Sequence, residues 1–330
     1  MRKTIVAAVL AAGLTCSVGR AASILYVSNA GTNTVTAYDA VTGASLGTAV
    51  TAGAEIGGLG GVRVGSDYSF YIAGSGSNNV VRYSGGGGLL GTLDPANAAG
   101  LNSPQGLIFG PDGNLYVASA ANDQIVRFNP ATGTSLGAFA DTSVNGHAGP
   151  IDLAFVNGLL FVSSFDSGEL LRFNATTGAF IGATSAGPGL ALAALALGPD
   201  GDLYVGALDP TTFQGSVLRF SGTNAAFLGT FVANGAGGLG SPGGLAFDRA
   251  GNLLVSNLVF DPNTLADAGS TVLRYNSSGQ FTGTLVGAGN GIDTPFFITV
   301  SEVPEPGTWG LMGGAVVVLG WLRRRTARPV

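Results

Sequence analysis

One histidine and two long acidic-aromatic loops are the main chemical resources of this 330-residue chain. His147, in "TSVNGHAGP", has no second histidine to work with, so a histidine-pair mechanism is excluded, while a role as base or metal ligand stays open. The single cysteine, Cys16, and the single lysine, Lys3, both lie in the N-terminal segment. The rest of the chain therefore has no thiol nucleophile and no amine for Schiff-base chemistry. What remains is carboxylate, amide and aromatic chemistry. The loops "GALDPTTFQGSV" and "SNLVFDPNTLADAGSTV" concentrate it, each with an Asp-Pro step, at Asp209 and Asp261. Phe213 and Phe260 offer apolar surface to a sugar ring, with Asp209, Gln214 and Asp261 as polar contacts. Ordinary variation in loop length is the equal alternative, because extra loop residues cost little.

The frame for these loops is written in repeats. "TVTAYDAVTGASLGTA", "VVRYSGGGGLLGTL", "IVRFNPATGTSLGAF", "LLRFNATTGAFIGAT", "VLRFSGTNAAFLGTF" and "VLRYNSSGQFTGTL" are one phrase. An arginine precedes the aromatic at Arg82, Arg127, Arg172, Arg219 and Arg274, and Ala37 holds that place in the first copy. The spacings are 45, 45, 45, 47 and 55 residues. A glycine recurs at Gly47, Gly91, Gly137, Gly182, Gly229 and Gly283. Each unit holds four runs of strand length, such as "GLIF", "NLYVAS", "QIVRF" and "SLGAF". Pro111-Asp112-Gly113 supplies a turn between the first two, and Pro199-Asp200-Gly201 repeats it.

A four-stranded unit of about 45 residues is the period of a β-propeller blade. The chain opens on "ILYVS", a second strand without a first, and "PFFITV" near residue 300 is a first strand without followers. Joined, they complete a ring and leave no exposed edge. The prediction is an all-β, six-bladed propeller over residues 22–300. "ILYVSNAGTNTVTAYDAVTG" resembles the YVTN-type surface-layer repeat, and "PQGLIFGPDGNLYVASAANDQIVRF" resembles NHL and gluconolactonase-like propellers. These motifs describe a scaffold and imply no activity.

In such a blade, the second-to-third-strand loops share a face with the blade-to-blade loops. Glu55, Asp94, Asp123, Asp141, Asp166, Glu169, Asp209, Asp261, Asp267 and Asp293 fall there with His147, and no arginine does. One reading is an acidic binding face suited to calcium or sugar hydroxyls, since calcium takes six to eight oxygen ligands. The other is that these residues cap turns and keep the surface soluble. The repeat arginines read as scaffold parts bonding carbonyls or carboxylates. "SGGGGLLG" precedes a strand, not a helix, so it is no phosphate loop. The gluconolactonase resemblance implies a metal set including a glutamate near the start of an innermost strand, and none of those strands supplies one. Streptogramin-lyase-like propellers rely on histidine, of which this chain has one, and both departures count against enzyme activity.

Both termini carry addresses. Residues 1–21 have a basic start, an apolar run and a small-x-small end, which fits a secretory signal cut after Ala21 by signal peptidase. Between residues 22 and 300, seven arginines face 17 Asp and Glu, a formal charge of −10 that argues against nucleic acid. Residues 301–330 read Pro-Glu-Pro, an apolar stretch from Gly307 to Leu322, then Arg323, Arg324 and Arg325. At about 1.5 Å per residue the stretch falls short of a bilayer core of about 30 Å. Its arginines mark the cytoplasmic end of a transient membrane helix. Val303-Pro304-Glu305-Pro306, the short helix and the basic cluster together resemble the PEP-CTERM sorting signal. That resemblance implies an exosortase partner, a Gram-negative host and export to an exopolysaccharide or biofilm matrix. The sequence thus points to a secreted, non-enzymatic module binding carbohydrate or protein, without a required cofactor. A metal-dependent hydrolase, lactonase or lyase on the same face is the alternative.

Overall fold

The computed structural model describes residues 22–95, 97–260 and 267–303. Across them, 24 strands form six four-stranded sheets. The innermost strands are Leu59–Val64, Pro104–Phe109, Pro150–Val156, Ala191–Leu197, Ser241–Phe247 and Pro295–Val303. The last of these joins Ala22–Asn29, Thr34–Asp39 and Ser45–Thr51 to complete the first blade. The closing strand runs to Val303, beyond the "PFFITV" segment from which it is predicted. Ser28 ties the closure: its Oγ accepts the Phe297 N–H at 3.0 Å and donates to Gly60 O at 2.9 Å in the next blade.

The second strands read as unbroken apolar runs because both faces of each blade are covered by neighbours. Phe70–Gly74 and Leu115–Ser119 are buried throughout. Six apolar clusters fill the six gaps between adjacent blades, rather than one central core. Phe161 and Leu170 meet Leu203 and Phe220 in one, and Leu25 and Tyr38 meet Leu254 and Val272 in the closing one. The aromatic of each repeated phrase is sealed in these layers: Tyr38, Tyr83, Phe128, Phe173, Phe220 and Tyr275 are all buried. Burying an aromatic side chain of this kind stabilises by about 3 kcal/mol at most, and truncating it to Ala costs about 3–5 kcal/mol.

The repeated arginine and glycine face each other. Arg127 pairs with Gly137 across the third and outermost strands, and the register slips at the next residue. Arg82 with Gly91, Arg219 with Gly229 and Arg274 with Gly283 repeat the pairing. This is a β-bulge in every outermost strand, and Gly137 takes φ +81° there, a conformation glycine adopts without steric cost. The outermost strands also present Leu46, Leu90, Leu136, Ile181 and Leu228 to solvent.

The arginines serve the scaffold. Arg82 pairs with Asp67, and Arg219 Nη2 lies 2.7 Å from carboxylate oxygens of both Asp200 and Asp202. Arg172 and Arg274 reach into the following blade, donating to Asn224 O at 2.6 Å and Ala40 O at 2.9 Å.

Candidate functional site

The loops joining second to third strands, and those joining blades, gather at one end of the innermost strands. Most acidic residues of this face are occupied by their own loops. Asp123, itself at φ +54°, accepts the Gly149 N–H at 2.8 Å. Asp94 accepts Ala99 N–H at 2.7 Å, and Asp141 accepts Ser143 N–H at 2.9 Å. Glu55 accepts the Gly53 N–H and the Tyr83 hydroxyl, and the tyrosine bond is the larger cause of its lowered pKa. Asp267 accepts N–H groups of Gly269, Ser270 and Thr294 at 2.8, 2.7 and 2.8 Å. Burial would raise the Asp267 carboxyl, but these donors outweigh it and hold the pKa below its ordinary value. Asp166 is exposed and lies over Gly149, where an added Cβ would sit 2.7 Å from its Oδ2.

His147 is paired as well. Its Nδ1 lies 2.6 Å from Glu169 Oε2, its ring packs 5.5 Å from that of Phe180, and it is 12% exposed. Among the described residues no three His, Cys, Asp or Glu groups converge as a metal site. Asp261 lies outside the described residues, as do Pro304, Glu305, Pro306, Arg323, Arg324, Arg325 and the signal segment 1–21. Val303 ends the closing strand.

Phe213 and Phe260 stand differently. They line one cleft of about 390 Å³ with Leu208, Gly240, Ser241, Leu258 and Val259. Phe213 is 58% exposed and Phe260 37% exposed. Phe213 also takes φ +55°, a left-handed conformation that is unfavourable for a residue with a bulky side chain. Asp209 maintains the turn: its carboxylate accepts Thr211 N–H at 2.8 Å and its carbonyl accepts Phe213 N–H at 2.9 Å. The Thr211 bond leads the causes that keep the Asp209 pKa low. Gln214 sits across a strand pair from Asp209, its side-chain amide 3.3 Å from that of Asn234. The cleft is thus apolar walls with a serine and backbone groups, open at its rim.

A second charged feature lies inside the ring. Asp152 is 2% exposed on an innermost strand, and Arg63 Nη2, from another innermost strand, lies 3.7 Å from its Oδ1. Burial pushes the Asp152 carboxyl up; Arg63 and the Leu195 and Leu153 N–H groups bring it only part of the way back. Neither residue is a glutamate at a strand start, the pattern the gluconolactonase resemblance implies, so the pair does not stand out on that criterion. The available signal was one charge in each of two otherwise apolar innermost strands, "LGGVRV" and "PIDLAFV".

Ring, loops and cleft define a six-bladed β-propeller with its irregular loops on one face. Residues 302–325 match the PEP-CTERM protein-sorting motif, so the propeller carries a signal that implies exosortase-dependent export and association with the cell surface. Residues 60–194 match a repeat of unknown function, DUF6923. No curated protein matches the chain. Among solved structures, a Bacteroides caccae protein of unknown function is similar at TM-score 0.63 and 14% identity, over 84% of this chain and 98% of that one. A catalytically inactive virginiamycin B lyase from Staphylococcus aureus with quinupristin is similar at TM-score 0.56 and 12% identity, over 84% of this chain and 88% of that one. A Bacteroides uniformis protein, described provisionally as a 6-phosphogluconolactonase, is similar at TM-score 0.53 and 16% identity, over 86% and 100%. At such identities the likeness is one of fold. Among the described residues no helix is long and apolar enough to cross a membrane.

Proposed function

We propose that this protein is a non-enzymatic binding module of the cell surface or extracellular matrix, and that it holds carbohydrate in the cleft between Phe213 and Phe260. The single observation that supports this is the strained, exposed Phe213 beside an apolar cleft. Backbone strain of about 1–3 kcal/mol persists where surrounding structure imposes it, and such sites cluster at ligand clamps. Aromatic faces stack on the apolar face of a sugar ring, while backbone groups and Ser241 meet hydroxyls. An exported protein bearing a sorting signal of this type meets exopolysaccharide and biofilm matrix, which supplies the ligand class. The reading assigns no catalytic residue and requires no metal.

The test is a glycan array probed with the purified protein and with Phe213→Ala. Specific glycan binding that Phe213→Ala abolishes supports the module. Turnover of a lactone that stops with chelator would replace it by the reading of a metal-dependent hydrolase, lactonase or lyase. Calcium titration followed by melting checks for a metal in the loops. The sorting route has its own check. An exosortase that removes the tail leaves a mature protein without any peptide spanning residues 316–323 in its mass spectrum, and an intact tail would mean a plain membrane anchor.

A further inference from the structure

The innermost strands crowd together at one level of the ring. Gly61, Gly106, Asp152, Ala194 and Gly244 occupy matching places there, beside a bulge in the strand register. A Cβ on Gly61 would lie 2.7 Å from Gln105 O, and one on Gly106 would lie 2.6 Å from Ile151 O. Asp152 is the single charge at this level. Its Oδ1 accepts Leu153 N–H at 2.9 Å and its Oδ2 accepts Leu195 N–H at 3.0 Å, so both oxygens are engaged on the scaffold side.

Arg63 reaches towards it from the second blade. Nη1 donates to Val62 O at 3.0 Å, and Nη2 is 3.7 Å from Asp152 Oδ1, too long for a strong hydrogen bond. A guanidinium has five N–H donors in a flat fork, and most of these are left for other partners. Arg63 is 18% exposed and lines a cavity of about 250 Å³ at the mouth of the channel. The walls come from the C-terminal halves of the innermost strands, among them Ile108, Phe155, Leu197, Phe247 and Val300. Arg63 is the only charged side chain lining this mouth among the described residues. These strand ends lie opposite the loops that carry Phe213, so the mouth is separate from the cleft.

Stability alone gives little reason for such a pair, because well-packed apolar replacements of buried ion pairs are often neutral or stabilising. We infer that the channel mouth is a binding site for a small monocarboxylate with an apolar body, its carboxylate gripped by the Arg63 fork. The planar fork matches a carboxylate's two oxygens. Aromatic and aliphatic walls suit a ring or chain behind it. Asp152 already offsets the Arg63 charge, and the turns around this mouth carry Asp67, Asp112, Asp200, Asp202 and Asp248. A dianion such as phosphate meets that acidic surround at higher cost than a monoanion.

The experiment is calorimetric titration of the purified protein with benzoate, benzyl alcohol and inorganic phosphate. Benzoate is expected to saturate a single site, with the other two at least about tenfold weaker, the discrimination expected of a charge-assisted bidentate contact. Arg63→Gln should lower benzoate affinity about tenfold or more, while Phe213→Ala leaves it unchanged. Because Arg63→Gln strips Asp152 of its partner and can impair folding, Arg63→Lys provides the second variant. It keeps the charge, removes the fork, and should weaken benzoate several-fold at an unchanged melting temperature. No saturable benzoate binding overturns the inference. So does phosphate binding as tightly as benzoate, or benzoate affinity unchanged in Arg63→Lys. The Phe213 cleft reading stands or falls on its own variant.

Discussion

Asp209 and Phe213 close one turn from two sides: the Asp209 carbonyl accepts the Phe213 N–H at 2.9 Å while the Asp209 carboxylate holds Thr211 N–H at 2.8 Å. The ring of Phe213 is thereby kept in solvent at φ +55°. Glycine at this position relieves the left-handed strain but removes the ring. Phe213→Gly should therefore leave stability unchanged or raise it by up to about 1 kcal/mol, while abolishing glycan binding. Melting and glycan binding measured on the same variant check it. A loss of more than about 1 kcal/mol would show that the ring supports the fold.

Asp152 satisfies two N–H groups and faces Arg63. Asp152→Ala leaves all three without their partner and should cost about 3–5 kcal/mol. Asp152→Asn retains an acceptor and should cost less. Urea unfolding midpoints at constant slope distinguish the two.

Acid should unfold the propeller through its loop carboxylates. Asp39, Glu55, Asp67, Asp112, Asp141, Asp209 and Asp267 all have lowered pKa values in the fold. The unfolded chain takes up their protons first. Their stabilisation is therefore complete above the ordinary carboxylate range and is lost as pH falls through it towards the native values. Melting temperature should drop steeply below about pH 4, and Asp267→Asn should flatten part of that limb. Asp152, with its raised pKa, acts in the opposite sense. Its contribution declines as pH rises from the ordinary Asp value towards the native one. A melting profile that keeps its full acid limb in Asp267→Asn would remove Asp267 from this account.

Two glycines with similar backbones should respond differently to alanine. Gly137, at φ +81°, has open space around a new Cβ, so only backbone strain of about 1–2 kcal/mol is expected. Gly178, at φ +71°, would place its Cβ 1.9 Å from Phe139 O in the neighbouring blade. Gly178→Ala must also push two blades apart and should cost distinctly more. Equal unfolding midpoints for the two variants would show that the blade contact yields freely.

Blade number, strand order and ring closure were readable in the chain because each blade repeats one local pattern. Pro111-Asp112-Gly113 forms its turn, the apolar runs around it form strands, and the period of about 45 residues counts the blades. The orphan strands at the two ends called for each other, since an open edge is costly. The sorting motif was equally local, a contiguous run of residues. Side-chain partnerships were not local. In sequence the carboxylates of the acidic face fit either ligands or turn caps, and only the fold shows Asp123, Asp141 and Asp267 turned onto backbone N–H groups. Phe213 and Phe260 belong to different blades, and Arg63 and Asp152 to innermost strands two blades apart. Periodicity sets which residues form strands; which side chains from different blades meet is decided by ring curvature and by glycine-width spacing between innermost strands, and those exist only once the ring has closed.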